Sequence, residues 1–157
     1  FITFFVFAVP GYIFAAKNID RIGRKTLQAL GFFMMGLCFA LIAIFPVIRD
    51  TVPLFVLIFG LSYFFTNFGP NCTTFLIPSE IYPTAIRARA HGFSAAVGKV
   101  GACIAAFILP FILAHYGLAV VMGIMAVVSC IGILATTLVP EMKNRSLEDA
   151  EMVDVVS

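Results

Sequence analysis

Charge is missing from most of this chain, and that absence governs what it can fold into. No Asp, Glu, Lys or Arg occurs from Thr26 to Ile48, from Thr51 to Ser79, or from Val100 to Pro140. A helix needs about 20 consecutive apolar residues to cross the hydrocarbon core of a bilayer. Of the 157 residues, 62% are hydrophobic and 11% charged, against roughly 45–50% and about 25% in soluble domains. One small globule cannot bury that surplus, which excludes a soluble enzyme. The pattern predicts an all-α membrane protein with four complete transmembrane helices, at about 27–44, 54–77, 92–114 and 118–139, and the end of a fifth at about 1–16. His115-Tyr116-Gly117 turns the longest run back on itself, and residues 140–157 form a tail. The first stretch begins in mid-pattern without an initiator Met, which suggests a piece of something longer. It lacks a basic leading region and is interrupted by Pro10-Gly11, unlike a signal peptide.

Basic residues then set the orientation. Lys17, Arg21, Arg24 and Lys25 lie in the first connection, Arg87 and Arg89 in the third, and Lys143 and Arg145 after the last helix, while Arg49 alone flanks the second. Positive charge favours the cytoplasm, so the first and third connections and the C-terminus are expected there. The net charge of +2 reflects this asymmetry and shows no nucleic-acid footprint. Cys38, Cys72, Cys103 and Cys130 fall one per helix without metal-ligand or disulfide spacing, so no metal or cofactor is expected. His91 and His115 sit at opposite helix ends, and no catalytic set can be assembled from them. A membrane enzyme is therefore not the expectation.

Lys99 is the one charged residue well inside an apolar run. A charge there costs an estimated 2.5–3.5 kcal/mol on insertion scales, so it usually faces a partner, a cavity or a substrate. Its flexible stem could also let it snorkel to the headgroups. Gly92, Ser94, Gly98, Gly101, Ala102 and Ala105 surround it and suit close helix approach. On the preceding helix Tyr63, Asn67, Asn71 and Thr74 recur at helical spacing along one face. These side chains could serve as packing glue between helices. Pro70 removes a backbone donor beside Asn71, which frees a carbonyl one turn earlier and makes Asn71 a plausible ligand contact.

The connections carry a resemblance. Asp20-Arg21-Ile22-Gly23-Arg24-Lys25 is similar to the D-R-x-G-R-[RK] loop of major facilitator transporters. Pro78-Ser79-Glu80-Ile81-Tyr82-Pro83 with Arg87, and Pro140-Glu141 through Leu147-Glu148, resemble the segments after the tenth and twelfth helices of sugar-porter-like members. Asn144 stands where the tail segment usually has glycine. Asn67-Phe68-Gly69-Pro70-Asn71-Cys72-Thr73-Thr74-Phe75 and His91-Gly92-Phe93-Ser94-Ala95-Ala96-Val97-Gly98-Lys99 narrow the likeness to the phosphate:proton symporter family of that superfamily.

The resemblance implies a partial major facilitator fold, from the end of helix eight to the tail, in a multi-pass protein of the plasma membrane. It implies proton-coupled symport of inorganic phosphate by alternating access. Asn71 and Lys99 would contact phosphate, with Tyr63 and Asn67 as further candidates, and Asp20, Arg24, Glu80 and Arg87 would form a cytoplasmic gate. The partners implied are phosphate, protons, the lipid bilayer and the missing N-terminal half of the transporter. Coupling carboxylates would lie in that half, because no Asp or Glu falls within a span here. A facilitator for sugars or organic ions, or a non-transporting nutrient sensor of the same fold, would share the helix pattern.

Overall fold

The computed structural model describes residues 4–82 and 86–139. Pro83 and the tail segment 140–157 with its Pro140–Glu148 motif lie outside the described residues. A π-helical turn, Phe4–Ala8, leads into α1 (Val9–Ile22), followed by α2 (Arg24–Ile44), short α3 (Pro46–Asp50), α4 (Val52–Phe68), α5 (Pro70–Ile81) and α6 (Arg87–Thr137). No strand occurs among the described residues. The protein is an all-α membrane protein.

The first connection is almost entirely helical. The sequence places a loop after residue 16, yet α1 continues to Ile22 and only Gly23 separates it from α2. Lys and Arg are good helix formers, and Arg21 in the last turn complements the negative end of the helix dipole. Gly23 makes the joint at φ 97° and ψ 149°, a conformation that side chains with a Cβ rarely adopt. Its N–H donates to the Ile19 carbonyl and its own carbonyl accepts from Leu27 N–H, each at 3.0 Å. At the other end of α2, Arg49 Nη1 folds back to donate to the carbonyls of Ile42 at 2.9 Å and Ala43 at 2.6 Å.

The 30-residue apolar span Val52–Ile81 is two helices, with the break at Gly69. Pro70 opens α5 at its first turn, where a missing N–H costs nothing. The Gly69 carbonyl accepts from the N–H groups of Cys72 at 3.2 Å and Thr73 at 3.1 Å, and from Thr73 Oγ1 at 3.0 Å. α2 is pressed against this break. A Cβ added at Gly31 would lie 2.4 Å from Pro70 Cδ, and one added at Gly69 would lie 2.7 Å from both Gly31 Cα and the Leu27 carbonyl oxygen.

α6 counts 51 residues, about 76 Å at 1.5 Å per residue and far more than the roughly 30 Å hydrocarbon core. Gly117, at φ 80° and ψ 173°, divides it into limbs 87–116 and 118–137. The second limb runs antiparallel to α2. Lys25 Nζ donates to the Thr137 carbonyl at 2.8 Å at one end, Gly36 faces Ser129 midway, and Ile42 shares a cluster with Met122 at the other. Two apolar clusters hold the bundle. One gathers Ala15, Ile19, Leu27 and Phe68 around the Gly23 joint; the other gathers Phe39, Ile42, Ile48 and Met122 near Gly117.

The small-residue stretch of the first limb does not make the close approaches its composition suggests. A Cβ at Gly92, Gly98 or Gly101 would meet nothing within 4 Å, and that face of the limb is open. The tight glycine contacts occur at Gly11, Gly31, Gly36, Gly60, Gly69 and Gly132 instead.

Candidate functional site

Between the α4–α5 break and the first limb of α6 lies a cavity of about 510 Å³. Asn71 and Thr74 of α5 line one side, with His91, Ser94, Gly98 and Lys99 of α6 opposite. The break is what opens it. A continuous helix would keep its backbone paired, whereas Pro70 cannot donate to the Thr66 carbonyl, and Thr66 also lines the cavity. Tyr82 and Ser94 hydroxyls meet at 3.3 Å and hold the limb to the end of α5. The Phe75 and His91 rings lie 6.3 Å apart in the same region.

Of the four residues expected at the ligand, the structure brings Asn71 and Lys99 to the lining of one cavity and leaves Tyr63 and Asn67 outside it. Asn67 is 4% exposed and sits behind Asn71. Its Nδ2 donates to the Tyr63 carbonyl at 2.7 Å, and its Oδ1 accepts from Asn71 Nδ2 at 2.9 Å. Tyr63 thus enters through its backbone, with a side chain 41% exposed. Asn71 Nδ2 also donates to the Tyr12 hydroxyl oxygen at 2.5 Å. Lys99 is exposed and has no hydrogen-bond or ion-pair partner among the described residues. The wall therefore offers one ammonium, a fixed amide and, among the described residues, no carboxylate. An ammonium with three donors suits an oxyanion.

Sequence reasoning missed His91 and Tyr12. His91 could have been found from spacing, since 91, 94, 95, 98, 99 and 102 form one helical face. Tyr12 is 59 residues from Asn71 in the chain and had no local signal.

At the far end of α5 the expected gate residues Asp20, Arg24 and Glu80 come together. Arg24 Nε donates to both Glu80 carboxylate oxygens at 3.1 Å, and Arg24 Nη2 lies 3.0 Å from Glu80 Oε1. Arg24 Nη1 meets Asp20 Oδ1 at 2.9 Å, one helical turn back across Gly23. Arg87 stands apart from this cluster. Its Nε donates to the Tyr82 carbonyl at 3.0 Å, and its Nη2 is buried without a partner among the described residues.

Apolar spans, one of them broken beside a solute-sized cavity, define a polytopic helical membrane protein. The chain belongs to the family described as "Sugar (and other) transporter", which it matches over residues 1–153. It is 41% identical over 145 residues to "Probable inorganic phosphate transporter 1-6" of Arabidopsis thaliana, covering 90% of this chain and 28% of that protein. It is 42% identical over 159 residues to "Inorganic phosphate transporter 1-6" of Oryza sativa subsp. japonica, covering 90% and 30% respectively. "Low affinity inorganic phosphate transporter 4" of Medicago truncatula is 41% identical over 145 residues, with 89% and 28% covered. The chain spans under a third of the length of these relatives.

Proposed function

We propose that this chain is the C-terminal membrane part of a phosphate:proton symporter, in which Asn71 and Lys99 supply one wall of a central phosphate site. The observation that carries the reading is that these two residues, on separate helices, line one cavity of about 510 Å³. The relatives named as inorganic phosphate transporters support phosphate as the solute. Lys99 would hold phosphate oxygens by charge, and Asn71 would fix orientation through its amide. The remaining ligands and the coupling carboxylates would come from an N-terminal half, and alternating access would rock the two halves about this site.

Asp20, Arg24 and Glu80 form the latch of the gate in this reading, with Arg87 bracing the start of α6. The concentration of basic residues near Gly23 supports a cytoplasmic placing of that end and of the tail, in a plasma-membrane protein. Phosphate uptake by the full-length protein in proteoliposomes, at two external pH values and with Lys99→Ala beside wild type, tests substrate and coupling together. Uptake that rises at the lower pH and collapses in the variant is the expected result. Absence of phosphate uptake by wild type would overturn the reading.

A further inference from the structure

We infer that the Tyr12 hydroxyl is a catch on the Asn71 amide: it occupies a donor of the empty site, an entering solute must displace it, and the exchange frees the cavity end of α5 from α1. This rests on the phosphate reading above and adds a solute-triggered release to it.

The two residues that line the cavity differ in readiness. Lys99 has no hydrogen-bond or ion-pair partner among the described residues, so its ammonium meets an anion without giving anything up. Asn71 is committed. Its amide has two N–H donors, and Nδ2 donates to Asn67 Oδ1 at 2.9 Å and to the Tyr12 hydroxyl oxygen at 2.5 Å. Turning the amide over would set its oxygen against Asn67 Oδ1, which is held in place because Asn67 Nδ2 donates to the Tyr63 carbonyl at 2.7 Å. Asn71 therefore cannot donate to a solute until one of its two bonds breaks.

Burial decides which bond that is. Asn67 is 4% exposed, so releasing it would strand a buried amide oxygen, the costly case. Tyr12 is 42% exposed, and its hydroxyl is not sealed in when the bond is given up. The release has a mechanical result as well. α5 is tied to the α1–α2 pair at both ends, Asn71 to Tyr12 and Glu80 to Arg24. Exchanging Tyr12 for a solute oxygen frees the end of α5 next to the Gly69 break, while the Glu80 end stays gripped. A solute that binds only after such a release binds more weakly in proportion to how seldom the released form occurs unaided.

The test is Tyr12→Phe in the full-length protein, with phosphate affinity by calorimetry and Tm measured with and without saturating phosphate. The variant deletes one hydroxyl and keeps the ring. Because the catch is closed only in the empty state, the variant is expected to bind phosphate about threefold to tenfold more tightly, the weight of one net hydrogen bond. Its Tm should fall below that of wild type without phosphate and rejoin it at saturation. A residue that merely shaped the site would weaken binding on removal, so the sign of the change separates the two roles. An unchanged or raised Kd, or a Tm gap that phosphate does not close, overturns the catch while leaving phosphate binding by wild type standing. Wild type that binds no phosphate overturns both.

Discussion

Arg24 Nε lies 3.1 Å from each carboxylate oxygen of Glu80, tying the base of α2 to the end of α5 across 56 residues of chain. Both side chains are mostly shielded, at 17% and 20% exposure, so the pair is screened less than a surface ion pair. Glu80→Gln keeps the shape and removes the charge, and should lower stability by about 1–2 kcal/mol, read as a lower Tm in detergent. Glu80→Arg should cost more and slow transport in the full-length protein, with partial recovery on adding Arg24→Glu. Transport that survives charge reversal at Glu80 would count against a latch.

The contact of Gly31 with the α4–α5 break gives a sharper stability test. Gly31→Ala forces a methyl against Pro70 and Gly69, and overpacking of this kind costs about 1–3 kcal/mol. Gly98→Ala adds the same methyl where nothing lies within 4 Å, and within this chain it should leave the Tm unchanged. Equal shifts in the two variants would show that the break is not packed as described.

Lys99 and Asn71 should separate by what they lose. Lys99→Ala removes the one ammonium on the cavity wall, and phosphate affinity should fall by about tenfold or more because hydrogen bonds from a charged donor are the strong ones. Asn71→Leu removes the amide, and its partners Asn67 and Tyr12 lose a hydrogen bond each. That variant should therefore lose both affinity and about 1–2 kcal/mol of stability, whereas Lys99→Ala should cost none. Phosphate binding by calorimetry and Tm on the same samples resolve the two.

Gly117 holds a backbone region that is essentially glycine's own, at φ 80° and ψ 173°. Gly117→Ala should destabilise by about 1–3 kcal/mol although no neighbour would touch the added methyl. The second limb would then pack less tightly on α2, seen as faster hydrogen exchange in residues 118–137. An unchanged Tm would refute a strained turn at this position.

Much of the architecture was legible because lipid demands long apolar spans, and Lys99 was legible because a charge inside such a span is expensive. Asn71 was readable from its proline neighbour. The helical state of residues 17–22 was not, since basic residues mark topology as well as they form helix, and only Gly23 signals the joint. The Gly31 contact with Gly69 and the tie from Tyr12 to Asn71 depend on which helices meet, and side-chain spacing along one helix carries no such information. The same limit explains why the glycines around Lys99 suggested close packing that the described residues do not provide.

Gly23 is the sole residue between α1 and α2, so the joint has no slack. Tyr12, which steadies the amide at the cavity, sits on α1; Arg24, which grips Glu80, is the first residue past the joint. A helix as short as α1 transmits displacement as a stiff rod. A displacement of Tyr12 is therefore carried along α1 to Arg24, which makes α1 a rigid strut between the Asn71 amide and the Glu80 ion pair.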